Sequence, residues 1–316
     1  MPPFEPINRA YNTVFQPDRL SVGIVVPIEN YANDPVPTMQ HHLERVQLLE
    51  RLGFKAFWIR DVPFHVPSFG DAGQTYDPFT YLGYLAGLTS EIALGIASIA
   101  LPLHHPVHVA KSAATIDQLS GGRLILGVAS GDRPSEYPAM GLDFEARGER
   151  FRDAFQYIRA AGTHFPAAPP QYFGTLSGQA DILPKPHGTK VPMLITGHSR
   201  QSPEWIAEHG DGWMYYPRNS MQQRFTITRY REQVAQHHEF DRPFMQPLYV
   251  DLQEDDNVRP TPIHLGMRLG LPHLIDYFHH LQAAGVNHVA LNLRFNTRPI
   301  EATLEHLAAK LLPHFA

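Results

Sequence analysis

Two closely similar apolar runs bracket one helix between residues 92 and 131, and no other stretch restricts the fold as much. The first run reads ALGIAS (93–98) and the second ILGVAS (125–130). Each has strand length, is apolar on both faces and shrinks to Ala-Ser at its C-terminal end. The segment between them opens at Pro106, which suits a helical first turn because it has no N–H to lose. It closes on Ser120-Gly121-Gly122, where glycine can take the left-handed cap. Strand, helix and strand, with two-sided apolar strands, specify a parallel βαβ unit. The small residues at the strand ends, Ala97, Ser98, Ala129, Ser130 and Gly131, leave room and let backbone approach an occupant. Close helix-to-strand packing would ask for the same residues. Two adjacent strands that end alike at the carboxyl edge, where α/β proteins bind ligands, favour a ligand floor.

The same alternation continues along the chain. Strands are expected at 22–28, 55–60, 93–98, 125–130, 193–196, 212–215, 245–250 and 288–293. Helices are expected at 38–52 (capped by Thr38 and ended by Gly53), 78–89, 106–120, 145–162, 202–209, 220–238, 272–284 and 299–312. Eight strand–helix pairs in 316 residues favour a (β/α)8 TIM barrel over an open doubly wound sheet. An irregular N-terminal arm (1–20) precedes a single barrel domain (21–316). One connection breaks the pattern: 164–190, heavy in Pro and Gly, reads as an insertion between helix four and strand five with a hairpin at 171–183. Helix-to-strand connections are otherwise brief, whereas the strand-to-helix loops 61–77, 131–144 and 251–271 are long and rich in aromatic and charged residues. That asymmetry is what a barrel enzyme shows, because function sits on the carboxyl rim.

Several classes of function are excluded. Net charge is -5 with no basic run, so nucleic acid is not an expected partner. Cysteine is absent, which removes disulfides, thiolate metal sites and cysteine nucleophiles. No signal-like or membrane-length apolar run is present, so no membrane partner is expected and the cytoplasm is the expected location. There is no phosphate-binding P-loop, no GxGxxG opening a helix and no GxSxG. None of the five lysines falls at the carboxyl end of a strand, where a Schiff-base enzyme needs one. The 19 histidines include helical neighbours that point about 100° apart and cannot share an ion. His104 and His108 straddle Pro106. No metal is expected.

A site for a flat organic cofactor with a phosphate remains. Strand five ends in Thr196-Gly197-His198-Ser199-Arg200-Gln201-Ser202 before a helix. Gly197 permits close approach, Ser199 can donate a hydroxyl or cap, Arg200 can pair, and amides at a helix start favour an anion. An ordinary N-cap with a solvated arginine fits the same residues. Arg147 and Arg150 could add charge from helix four.

The segment 105–131, HPVHVAKSAATIDQLSGGRLILGVASG, followed by EYPAMG (136–141), resembles the bacterial luciferase-like monooxygenases, flavin-dependent TIM-barrel enzymes. Weaker agreement runs from Ser21 to the end, including DILPKP and AAGVNHVALNL. The resemblance implies reduced FMN at the carboxyl rim, supplied by a separate flavin reductase, with O2 and a small organic substrate, in a homodimer. Carried over by position, Ala97-Ser98 falls where the family often has a non-prolyl cis peptide beneath the flavin ring. Ser130 and Gly131 fall at a flavin contact, Gly197, His198, Ser199 and Arg200 at the phosphate loop, and Arg150 at a phosphate-binding arginine. After strand two the luciferases carry a histidine pair following an acid; here Asp61 keeps the acid, while Val62 and Pro63 replace the histidines. Proton handling then falls to His65, Asp61 or a substrate group, with His65 the better base and Asp61 orienting its neighbours or pairing with Arg60. Two alternatives are a deazaflavin (F420)-dependent hydride-transfer enzyme and a non-catalytic flavin-binding protein. The first is disfavoured by the ending Ala129-Ser130-Gly131-Asp132 where such relatives carry a Gly-x-Gly-Glu type, the second by the charged rim.

Overall fold

A computed structural model of the chain describes residues 3–168 and 172–315. In chain order, α1 (Arg9–Val14) precedes β1 (Ser21–Val25), α2 (His42–Leu52), β2 (Ala56–Ile59), α3 (Pro78–Ala86), β3 (Ala93–Ala100), α4 (Pro106–Leu119) and β4 (Leu124–Ala129). A short α5 (Glu136–Ala139) and a long α6 (Arg147–Ala161) lead to a small hairpin, β5 (Ala167–Ala168) with β6 (Leu176–Ser177). There follow β7 (Met193–Thr196), α7 (Pro203–His209), β8 (Gly212–Met214), α8 (Ser220–His237) and β9 (Phe244–Leu252). A second hairpin, β10 (Thr261–Ile263) with β11 (Gly266–Leu269), precedes α9 (Leu271–Ala284), β12 (His288–Asn292) and α10 (Ile300–Lys310). Parallel pairing runs β9-β12-β1-β2-β3-β4-β7-β8, and β8 pairs back onto β9. Among the described residues eight parallel strands thus close into the expected (β/α)8 barrel. No described helix is long and apolar enough to cross a membrane.

The structure departs from the sequence reading at five places, each with a local cause. The arm is not irregular throughout. Asn8 caps α1 by accepting from Tyr11 N, and its own amide group donates to Asp117 and to Leu124 O, so the arm is tied to the barrel base. Thr38 does not cap α2: its amide and hydroxyl both donate to the Glu29 carboxylate (2.6 and 2.8 Å), and the helix starts four residues later. Helix α3 stops at Ala86 rather than near Thr89, because the buried Arg123 guanidinium takes the carbonyls of Ala86 and Thr89 and the Thr89 hydroxyl, as well as Ile92 O and Ser120 O. All five N–H donors are met without a carboxylate. The inserted hairpin pairs 167–168 with 176–177 instead of spanning 171–183. Beyond it Pro184 and Pro186 offer no ladder donors, and Asp181 pairs with Lys185 instead; Gln171, like Met1 and Pro2 of the arm and the terminal Ala316, lies outside the described residues. Finally, the loop read at 251–271 contains β10 and β11, the latter adding parallel to β9 on the carboxyl rim.

The base of the barrel is filled. Phe4, Ile7, Tyr11 and Phe15 from the arm pack with Trp58, Leu194 and Met245 from the strands. Trp58 Nε1 donates to His288 Nε2 (2.9 Å), and His288 Nδ1 lies 2.6 Å from Ser21 Oγ. That hydroxyl gives its proton to Val14 O (2.7 Å), so Nδ1 must carry a hydrogen and Nε2 the accepting lone pair. A second ring proton would point at the Trp58 N–H, and burial pushes the His288 imidazole down to about 3.

Unfolding therefore takes up one proton at His288 between the folded value near 3 and the unfolded value of about 6.5. Its contribution to stability is fully present above the unfolded value and is lost as pH falls, at about 1.4 kcal/mol per pH unit. In urea titrations from pH 6 to 4, His288→Gln should be less stable at neutral pH but show a slope shallower by about that amount. Parallel slopes would show that His288 does not hold the buried neutral form.

Candidate active site

Where the base is full, the carboxyl end is open. A cavity of about 830 Å³ lies within the ring, lined by β-strand ends and the loops that follow them. Its inner surface is small or flexible: Val25, Ala97, Ala129, Met214, Met245 and Ala290. Strand β3 shifts register against β4 between Ile96 and Ile99, and the Ala97–Ser98 peptide is cis, as expected from the sequence. On β4 the chain turns at Gly131 with φ +74, and a Cβ there would sit 2.9 Å from the Tyr137 hydroxyl. Tyr137 donates to Ser130 O and is fully buried, which fixes the turn after β4.

Asp61 ties β2 to β3. Its Oδ2 accepts from Ala100 N (3.0 Å) and lies 2.7 Å from His104 Nε2, with the carboxylate side chain only 3% exposed. Burial alone would lower the His104 pKa, but the Asp61 hydrogen bond and charge outweigh it and raise the imidazole above its ordinary value.

The loop after β7 is a concave turn. Gly197, Ser199 and Arg200 all have positive φ (57°, 47° and 60°). Gly197 N donates to Met214 O and Gln201 N to His198 O. Among the described residues the intervening amides of His198, Ser199 and Arg200 donate no hydrogen bond, so three N–H groups remain for an anion. Ser199 Oγ donates to Thr196 O and does not cap; the cap of α7 is Ser202. His198 Nε2 lies 2.9 Å from the Tyr215 hydroxyl, and burial followed by the Arg218 charge lowers its pKa. Arg200 is 54% exposed and 3.8 Å from Glu145.

Of the residues singled out from the sequence, Asp61, Ala97, Ser98, Ser130, Gly131, Gly197, His198 and Ser199 all line the cavity. Arg200 lies on the same loop, facing solvent. Two are not brought there. His65 is exposed and outside the cavity wall, although Phe69, Gly70 and Asp71 further along the same loop return to it. Arg150 stacks 4.7 Å from the Phe173 ring centroid with Nη2 3.5 Å from Pro102 O; one face of α6 is turned to the inserted segment. Nor does Arg60 pair with Asp61: its guanidinium goes to Asp71 (2.9 Å). The sequence reading weighed His104 only as a metal ligand, although HHPVH shortly after β3 was a visible signal, and passed over Arg294, which follows β12 at the carboxyl end.

A flat floor, uncommitted amides at one side and mixed charge at the other define a ligand site of the kind barrel enzymes carry on this rim. The luciferase-like monooxygenase family model matches residues 20–290. The chain belongs to that family. It is 33% identical over 192 residues to an uncharacterized protein of Mycobacterium tuberculosis, covering 55% of this chain and 66% of the relative. It is 28% identical over 220 residues to an alkanal monooxygenase beta chain of Photorhabdus luminescens, covering 68% and 65%. The match thus spans just under two thirds of each relative. The barrel also superposes on an F420-dependent secondary alcohol dehydrogenase with TM-score 0.76 at 17% identity, covering 94% of this chain and 99% of that one, a likeness of fold alone.

The Asp61–His104 pair can be read directly. In Asp61→Asn the charge that raises the imidazole most is gone while burial and the weaker pull of Asp77 and Glu136 remain, so His104 should titrate lower than in the wild-type chain. A histidine-resolved NMR titration checks this. An unchanged midpoint would mean that Asp61 serves only the Ala100 amide.

Proposed function

We propose that the chain is a flavin-dependent monooxygenase that takes reduced FMN from a separate flavin reductase and uses it with O2 on a small organic substrate. The observation that carries this reading is the pairing of a small-residue floor on β3 and β4 with three uncommitted amides after β7. Together they suit a flat ring ending in a phosphate. A Cβ at Gly197 would meet nothing within 4 Å, so the loop leaves open space beside those amides. Assembly as a homodimer belongs to the same reading.

Bound FMN would supply the reducing electrons for O2. The chain supplies the rest. Ala97, Ser98, Ala129 and Ser130 form the surface against which a ring lies, and their size sets how deep it sits. Met214, Met245, Pro247 and Val25 line the cavity and keep water from its inner end. Asp61 holds β2 to the end of β3 and keeps the His104 ring doubly protonated to higher pH than a free imidazole would be, Nε2–H facing the carboxylate in either state so that the proton exchanged is the one on Nδ1. Asp61 is the member of the pair that lines the cavity, with His104 behind it; proton handling on this side is assigned to the two together, His65 standing outside the wall.

Fluorescence titrations with FMN, riboflavin and deazaflavin test the reading. Ser98→Leu fills the floor and should abolish binding of both FMN and riboflavin. Arg200→Ala should weaken FMN by about tenfold, the low end for a charged hydrogen bond because the side chain is solvent-screened, and leave riboflavin unchanged. Equal losses for both ligands would remove the phosphate assignment. Preference for deazaflavin over FMN would replace the monooxygenase reading with hydride transfer.

A further inference from the structure

The wall across the barrel from the β7 loop, where β2 and β12 end on either side of β1, is charged in an unbalanced way. Arg60 Nη1 and Arg294 Nη1 both reach Asp71 Oδ2, at 2.9 and 3.3 Å. Two guanidiniums therefore share one carboxylate. Arg60 also donates to the Tyr31 hydroxyl and Arg294 to Gly70 O. Among the described residues the Nε of each is buried without a hydrogen-bond partner. A third guanidinium, Arg133, lies 4.3 Å from the Phe69 ring centroid and 3.7 Å from Glu136. The Glu136 oxygen that faces Arg133 makes no hydrogen bond among the described residues, so the two form an open ion pair. Pinning the 61–77 loop to β12 needs only one arginine on Asp71. The second leaves a positive charge in a half-dry cavity, and a buried unpaired charge is costly unless something answers it. The three arginines share the cavity lining with Phe69, Tyr249 and Phe295 and with the carboxylates of Asp61, Asp71, Asp132 and Glu136, so the positive charge is concentrated on the wall beside β2 and β12. Tyr249 and Phe295 stack with centroids 5.3 Å apart.

We infer that the substrate of this cavity is an aromatic carboxylate, its anion held by Arg294 and Arg60 and its ring lying against Phe295 and Tyr249. Guanidinium forks match a planar carboxylate with two parallel hydrogen bonds, and the neighbouring rings offer an apolar shelf for an attached aromatic body. The inference rests on the proposed oxygenase site but is tested apart from it.

Benzoate and its uncharged analogue benzamide are the probes, titrated calorimetrically into the full chain with and without FMN. Benzoate should bind at least about tenfold more tightly than benzamide, the value of one charge-assisted hydrogen bond. Arg294→Gln should erase that preference and leave FMN affinity unchanged, whereas Arg294→Lys, which keeps the charge but loses the fork, should retain part of it. Equal affinities of the wild-type chain for the two probes overturn the inference, whether or not any variant folds. So does a preference that survives in a folded Arg294→Gln protein, or benzoate that competes with FMN, which would give the arginines to the cofactor. If FMN does not bind but benzoate is still preferred, the flavin reading falls and this one stands.

Discussion

The indole of Trp58 fills the space that Gly95 leaves on the neighbouring strand, and this fit divides the barrel into a full end and an open one. A Cβ at position 95 would lie 2.2 Å from the indole ring, so no other residue can stand there while Trp58 keeps its place. An eight-stranded barrel has an interior just wide enough for side chains to fill. The indole takes the middle of it, and His288 and Phe15 complete the base. One layer further toward the carboxyl end the inward positions change character. Ala97 follows Gly95 on β3, Ala129 follows Gly127 on β4, and Ala290 follows His288 on β12. Nothing large enters, and the 830 Å³ cavity is what remains. The arm contributes to the same end: α1 closes the base, so the strands need not bury their own lower mouths.

The closed barrel was legible because its signals are regional. Two-sided apolar strands and glycine stops repeat along the chain, and errors of a few residues at one boundary do not change the count. Isolated polar residues behaved differently. Arg123 looks like a basic residue between a turn and a strand, yet its five donors bind backbone and side-chain oxygens from residues 86 to 120. Nothing local to the sequence announces partners that distant. Thr38 had the right type and place for an N-cap, and lost the role because a nearby buried carboxylate, Glu29, accepts from it twice.

The site divides along the same line. Residues on strands or just past their ends, such as Ala97, Ser98, Ser130 and Gly197 to Ser199, could be placed from the pattern, since a strand fixes which positions reach its carboxyl end. Residues deep in a long loop or on a helix could not. His65 was favoured as the imidazole nearest in the chain once Val62 and Pro63 stood in place of histidines, but the imidazole that meets the Asp61 carboxylate is His104, 43 positions away from it. Within one loop the side chains diverge, His65 facing solvent while Phe69 and Asp71 line the cavity, whereas β2 and β3 are neighbours and deliver Asp61 and His104 to one spot. Chain proximity is a poor guide after a strand ends; strand adjacency is the better one.

The two polar ends of the cavity differ in kind. After β7 the donors are backbone amides in a turn of positive φ, partial charges held by geometry and open to solvent at Arg200. Beside β2 and β12 the donors are full charges, withdrawn from water and partly answered by Asp71, whose carboxyl burial would push up but Arg60 and Arg294 hold low. Amides in a fixed turn discriminate by shape and cost little when empty. Guanidiniums in a low-dielectric wall discriminate by charge and are costly when unanswered. Salt reaches the first far more than the second, since buried pairs are weakly screened. Both ends are positive, so neither can answer the other, and the alanine and serine floor holds them apart. Under the proposed reading each end takes its own anion, the cofactor's phosphate at the amides and the substrate's carboxylate at the guanidiniums.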